Sequence, residues 1–70
     1  MERKPVNSTD LVAVGYDAGS RTLEVEFKEG RVYQYLDVPP DVYDGLMCAE
    51  SLGKYFYAYI ITYYRYRRVQ

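Results

Sequence analysis

The segment from Thr22 to Leu36 constrains the fold more than any other, because polar and apolar residues alternate on both sides of a turn. It reads T-L-E-V-E-F, then K-E-G, then R-V-Y-Q-Y-L. Alternation with a period of two is typical of half-buried strands, so the pattern predicts a β-hairpin. Its first strand is predicted to turn Leu23, Val25 and Phe27 toward the core.

The turn of this hairpin sets the pairing of its two strands. A two-residue type I′ loop would place Glu29 at a positive φ, which is unfavourable for a long side chain. A three-residue loop needs a positive φ only at Gly30, and glycine adopts that conformation freely. We therefore predict a three-residue loop, with these cross-strand pairs: Phe27 with Arg31, Val25 with Tyr33, Leu23 with Tyr35, and Gln34 with Glu24 on the outer face.

This register has a consequence for Tyr33 and Tyr35. Because they lie opposite Val25 and Leu23, both tyrosines are predicted on the core side of the sheet. The alternative, that both are exposed and form a stacking platform, stays open.

The segments around the hairpin predict the remaining elements. Alternation over Leu11–Tyr16 predicts a preceding strand, and helical spacing over Asp41–Ala49 predicts a short helix after the hairpin. Ser51 can cap a second helix that runs to about Tyr63 before an extended end, and a strand over Tyr59–Tyr66 is the alternative. The predicted fold is α+β, a three-stranded antiparallel β-meander followed by two short α-helices packed on one face.

Length and the first residues set the expected domain organisation. Seventy residues allow one domain with a marginal core. Residues 1–7 show no periodicity and are predicted to form a disordered N-terminus, which leaves residues 8–69 as the single domain. The sequence contains no signal-peptide pattern and no run long and apolar enough to span a bilayer. We therefore expect a cytoplasmic protein without membrane contact.

Residues that commonly carry catalysis or bind metals are scarce. The chain has no histidine and one cysteine, Cys48, which its apolar helical setting predicts to be a buried structural thiol. The five glycines are scattered singly and form no phosphate-binding loop. Glu24 and Glu26 share one strand face through the strand period alone. We therefore expect no enzyme, no cofactor and no bound metal.

The stretch from Lys54 to Arg68 gives the chain its chemical character. It reads K-Y-F-Y-A-Y-I-I-T-Y-Y-R-Y-R-R and contains no carboxylate, whereas residues 1–52 contain all ten acids. Tyrosine rings stack on bases and arginines bind phosphates, so the stretch suits RNA or single-stranded nucleic acid. The alternative is a core-filling helix followed by a solvated basic end. The candidate nucleic-acid-binding residues are Lys54, Tyr64, Arg65, Tyr66, Arg67 and Arg68.

A second apolar stripe on the predicted second helix suggests a protein partner. Tyr57, Ile61 and Tyr64 lie at positions i, i+4 and i+7, so they form one outer stripe. A small core cannot bury this stripe together with the inward one. The outer stripe must face water, a partner, or the C-terminal segment folded back, and we favour a partner: a second copy in a homodimer, or another protein. The predicted inward stripe contains Leu52, Phe56, Tyr59, Ile60 and Tyr63.

The order of short motifs along the chain resembles the KTSC family. The motifs are V-G-Y-D, T-L-E-V-E-F, G-R-V-Y-Q-Y, V-P-P-D-V-Y-D-G-L, S-L-G-K-Y-F and Y-R-Y-R-R-V, over roughly residues 7–69. The family's central mark is a Y-x-Y pair, which corresponds here to Tyr33 and Tyr35. The family is a short domain found alone in bacterial and phage proteins and at the C-terminus of some lysyl-tRNA synthetases. The resemblance brings no established activity, and the association with a synthetase suggests RNA binding.

The chain departs from the family pattern at two positions of the second helix. Family members tend to have asparagine where this chain has Tyr57, and often a basic residue where it has Ile61. Both departures replace polar or basic groups with apolar ones, so they favour a protein contact on that helix face.

Overall fold

The computed structural model describes residues 1–70 as a five-stranded antiparallel sheet with two helices on one face. The strands follow one another in chain order across the sheet, so every neighbour is an antiparallel partner. The elements, in chain order, are β1 (Lys4–Pro5), β2 (Leu11–Asp17), β3 (Thr22–Phe27), β4 (Val32–Tyr35), α1 (Pro40–Cys48), α2 (Leu52–Tyr59) and β5 (Tyr66–Arg68).

The predicted hairpin register is confirmed. Gly30 has a φ of 87°, and the amide of Phe27 donates to the carbonyl of Arg31, as a three-residue loop requires. The observed pairs across β3 and β4 are Leu23 with Tyr35, Glu24 with Gln34, and Val25 with Tyr33.

The sheet has five strands, so the prediction of a three-stranded meander is wrong in strand number. Both additional strands are very short and lie at the sheet edges: β1 pairs with Ala13 and Val14 of β2, and β5 pairs with β4. Strands this short show no alternation, and β1 carries Pro5, which a sheet accepts at an edge. The prediction that residues 1–7 are disordered differs from the structure, in which β1 lies within that segment.

The second helix begins as predicted and ends earlier than predicted. The side chain of Ser51 accepts a hydrogen bond from the amide of Lys54, which caps the helix start. The helix ends at Tyr59, and the chain turns at Ile60, which is fully buried. Both the predicted helix to Tyr63 and the alternative strand over Tyr59–Tyr66 are therefore wrong, because the chain must turn back to bring β5 alongside β4.

The core lies between the inner sheet face and the two helices. Of the residues predicted inside, Leu23, Val25, Phe56 and Ile60 are fully buried, and Phe27 is half-buried at the margin. Leu46 of α1 is also fully buried. The predicted inward stripe is wrong at two members, Tyr59 and Tyr63, which are exposed. Cys48 is also exposed, contrary to prediction, because it is the last residue of α1.

Two glycines allow close approaches between elements. A Cβ at Gly15 would lie 2.6 Å from the carbonyl oxygen of Glu2, so the N-terminal segment can cross β2 there only because residue 15 is glycine. A Cβ at Gly45 would collide with the ring and hydroxyl of Tyr55. This glycine therefore lets α1 and α2 pack together.

Candidate nucleic-acid interface

A row of aromatic rings crosses the inner sheet face beside α2 and reaches the β5 edge. Tyr33 of β4 stacks on Tyr66 of β5, with ring centroids 5.6 Å apart and planes 18° apart. Phe27 of β3 meets Tyr33 edge to face at 5.6 Å. Both geometries are favourable for aromatic pairs. We call Phe27, Tyr33 and Tyr66 the platform.

The platform is open to solvent at its β5 side. Tyr66 is 58% exposed and Tyr33 is half-buried. Tyr33 stacks on the Tyr66 ring and Tyr35 lies 5.7 Å from it at a tilt, and the part of the ring that stays exposed can receive a flat ligand. Tyr35, the second tyrosine of the family pair, is buried at 2% exposure beneath Phe56 and Tyr66. The prediction that both tyrosines lie on the core side is therefore confirmed for Tyr35, which is buried, whereas Tyr33 is only half-buried.

Two arginines border the platform. Arg31 lies with its guanidinium carbon 5.6 Å from the centre of the Phe27 ring, within cation–π range. Arg68 pairs in register with Tyr33, so it lies on the platform face of the sheet. Arg68 is exposed and forms no ion pair with an aspartate or glutamate side chain, and its side chain donates to the main-chain oxygen of Gln70. Its charge is therefore available to an anionic ligand.

The structure separates the predicted nucleic-acid-binding residues into different places. Tyr66 and Arg68 lie together at the platform. Arg65 forms an exposed ion pair with Asp37 at 3.5 Å, and Arg67 lies on the opposite sheet face, where it donates to Gln34. Tyr64 is half-buried against the core, and Lys54 lies in the first turn of α2. The strand period of β5 causes this separation, since alternate residues of a strand point to opposite faces.

The predicted outer stripe of the second helix does not exist as one surface. It required a helix through Tyr64, and the helix ends at Tyr59. Ile61 and Tyr64 pack against the domain's own core, which leaves Tyr57 as the exposed member at 46%. Its hydroxyl lies 3.5 Å from a carboxylate oxygen of Asp10, and burial, the charge of Asp10 and this hydrogen bond raise the pKa of Tyr57.

Sequence reasoning missed Phe27 and Arg31 as members of a surface site. The hairpin register already placed them opposite each other, so part of the signal was present. The position of β5 beside β4 was not predicted, and it is β5 that brings Tyr66 and Arg68 to the same face.

The opposite sheet face carries a polar network that ties the two edge strands together. Arg3 donates to Glu24 at 2.5 Å and lies 3.3 Å from Glu26, so it reaches across β2 above Gly15. Gln34 donates to Glu24 at 2.8 Å and accepts from Arg67 at 2.9 Å. The network therefore links the N-terminal segment through β3 and β4 to β5.

Glu24 is the buried centre of this network. Burial by itself would raise the pKa of Glu24, but hydrogen bonds from Gln34 and Arg3, with the positive charge of Arg3, outweigh burial and lower it below its ordinary value of 4.5. A lowered carboxyl pKa stabilises the folded state above the unfolded-state pKa, and this stabilisation is lost as pH falls through the folded-state pKa.

We expect Arg3→Ala to lower the free energy of unfolding by about 1–2 kcal/mol at neutral pH, because Glu24 loses a charged hydrogen-bond donor. The loss should shrink on acidification, as Glu24 becomes protonated in both variants. Urea unfolding followed across the acid range checks this expectation. Lys4→Ala, which removes a neighbouring exposed cation, is the matched control, and equal losses in the two variants would contradict the role of Arg3.

The described residues contain no group of three or more cysteine, aspartate and glutamate side chains placed to hold a metal ion. None of the helices has the length and apolar character needed to cross a membrane.

Comparisons with known proteins agree on one family. The sequence model of the KTSC domain matches residues 7–64. A protein of Stutzerimonas stutzeri is 41% identical over 70 residues, which cover 99% of each chain. A lysine–tRNA ligase of Nostoc punctiforme is 39% identical over 57 residues, which cover 81% of this chain and 10% of the ligase. The crystal structure of a KTSC domain protein from Yersinia pestis superimposes with a TM-score of 0.95 at 36% identity, covering 99% of this chain and 97% of that one.

Proposed function

Because the chain belongs to the KTSC domain family, whose sequence also occurs within lysine–tRNA ligases, we propose that it is a non-catalytic module that binds RNA through the platform. The observation that carries the proposal is the stacked pair of Tyr33 and Tyr66 beside the exposed guanidinium of Arg68, which has no aspartate or glutamate partner. Unpaired bases stack on exposed aromatic rings, and flanking cations bind the phosphates.

The geometry favours single-stranded RNA over a duplex. The exposed part of the Tyr66 ring can take an unstacked base, whereas bases inside a helix are already stacked on their neighbours. Arg68 lies two residues from Tyr66 along β5, so the two side chains share the platform face. A phosphate next to the stacked base would therefore meet a cation without any rearrangement of the sheet.

The binding of labelled oligouridylate to the wild type and to Tyr66→Ala tests this proposal. Loss of one base–aromatic stack costs about 1–3 kcal/mol, so affinity should fall by roughly 5- to 150-fold. Arg68→Ala should reduce the slope of log K against log salt by the amount expected for about one phosphate contact. Fluorescence anisotropy over a range of salt concentrations measures both effects.

Tyr59→Ala is the matched control for Tyr66→Ala, because Tyr59 is 59% exposed and lies outside the platform. The control should bind with wild-type affinity. Equal affinities of the two alanine variants would contradict the platform, and failure of the wild type to bind at low salt would contradict RNA binding as a whole.

A protein contact is the second candidate function. It is favoured by the exposure of Tyr59 and Tyr63, at 59% and 71%, at the end of α2 and on the turn that follows it. Large exposed aromatic residues are typical of protein interfaces. Light scattering on the same samples separates the two functions, since a self-associating wild type with no affinity for RNA would support this candidate instead.

A further inference from the structure

An open groove of about 880 Å³ lies between the loop that precedes β2 and the start of α2. Asn7–Asp10 line one side and Glu50–Lys54 the other, Lys28, Tyr57 and Ala58 complete the lining, and the two sides approach each other closely where Ser8 meets Gly53. A smaller hollow of about 170 Å³ adjoins it, lined by Phe27 of the platform and by Arg31, whose guanidinium is 3.5 Å from the carboxylate of Glu29 in the same lining. The two depressions share Asp10, Lys28 and Tyr57, so the surface is continuous from the platform into the groove.

The groove has the chemistry of a site for a sugar–phosphate chain. Lys28 and Lys54 line it, and neither ammonium group is in an ion pair within 4.0 Å. Hydroxyl and amide groups supply neutral donors and acceptors, the types that contact ribose and phosphate oxygens. These groups belong to Asn7, Ser8, Thr9 and Ser51.

The remaining charges of the groove limit where a phosphate can lie. Asp10 and Glu50 are carboxylates in the same walls, and Asp10 is already 3.5 Å from the hydroxyl of Tyr57. A phosphate must therefore lie nearer the lysines than these acids, and removal of the Asp10 charge should strengthen binding.

We propose that a single RNA strand held at the platform continues past Tyr57 into this groove, where Lys28 and Lys54 contact its phosphates. This inference rests on the proposed function and extends it, because it assigns a second part of the site and a minimum ligand length. The exposed ring of Tyr57 stands between the two parts, so it is placed to contact a base on the path.

The test compares a trinucleotide and a decanucleotide of uridine. The decanucleotide should bind more tightly, and only it should shift the backbone amide NMR signals of Gly53 and Lys54. Lys28→Ala combined with Lys54→Ala should reduce the slope of log K against log salt by about 1.4 for the decanucleotide and leave the trinucleotide unchanged. Asp10→Asn should raise the affinity for the decanucleotide.

The charge-matched control is Lys4→Ala combined with Arg21→Ala, which removes two positive charges outside the groove. The groove assignment is overturned if this control weakens decanucleotide binding as much as the groove variant does, or if both oligonucleotides bind equally well. In those outcomes the platform still stands if Tyr66→Ala weakens binding. Failure of both oligonucleotides to bind the wild type overturns the platform and the groove together.

Discussion

Replacement of Phe56 by alanine is expected to lower the free energy of unfolding by about 3–5 kcal/mol, which brings the domain close to unfolding. A domain of this length has roughly 4–10 kcal/mol of stability in total. The Phe56 ring is fully buried and meets Phe27, Tyr35 and Tyr57 at centroid distances of 5.4–5.8 Å. Its removal leaves a cavity that these rigid rings cannot easily fill.

Alanine is a good helix former, so the loss at Phe56 reports packing and not the helix itself. Thermal unfolding followed by circular dichroism should show a fall in melting temperature of more than about 10 °C. Tyr59→Ala, an aromatic truncation on the exposed side of the same helix, should stay within about 1 kcal/mol of the wild type. If the two variants were equally destabilised, Phe56 would not be the centre of the core.

The second expected result is a loss of stability at high pH that depends on Tyr35. Burial, followed by the negative charges that Tyr33, Tyr66 and Tyr57 carry when ionised, raises the pKa of Tyr35 from 10.0 to about 12. The folded state therefore holds the Tyr35 proton more tightly than the unfolded state does. This stabilisation is complete below the unfolded-state pKa of 10.0 and is lost as pH rises through about 12.

Two pKa units correspond to about 2–3 kcal/mol. Tyr35→Phe keeps the buried ring and removes the titrating hydroxyl, so its unfolding free energy should decline less steeply above about pH 10 than that of the wild type. Some decline should remain, because burial also raises the pKa of Tyr16 and Tyr57. Urea unfolding at several alkaline pH values measures this difference.

Tyr59→Phe is the control for the alkaline experiment, since it removes a hydroxyl from an exposed ring. It should follow the wild-type curve. A Tyr35→Phe curve parallel to that of the wild type would show that another group controls alkaline unfolding.

The candidate site shows which contacts can be read from local sequence. The hairpin turn and the alternation suffice to place Tyr33 and Tyr35 on the inner face, because a strand has a fixed period and Gly30 permits only certain turns. The same pattern puts Gln34 beside Glu24, and the two side chains form a hydrogen bond of 2.8 Å. In both cases the partners lie within one hairpin, so local rules are enough.

The family resemblance was also within reach of sequence alone, and the family match confirms it over residues 7–64. The motifs that carry it include the hairpin and the start of α2, where Ser51 caps the helix. The resemblance did not reveal that Arg65, Arg67 and Arg68 have different surroundings. Which sheet face each arginine occupies is set by the strand that contains it and by the strand it pairs with, and the sequence did not predict this pairing.

Sequence by itself determined the central hairpin, the two helix starts and most of the core, because these depend on periodicity, turn chemistry and capping over a few residues. Tertiary structure decided where α2 ends, because Ile60 is buried in a core whose strands are distant from it in sequence. It also decided the strand number, because β1 and β5 are too short to form alone and exist only through pairing with β2 and β4. The platform is the product of that pairing, which places Tyr66 against Tyr33 although the two helices separate them along the chain.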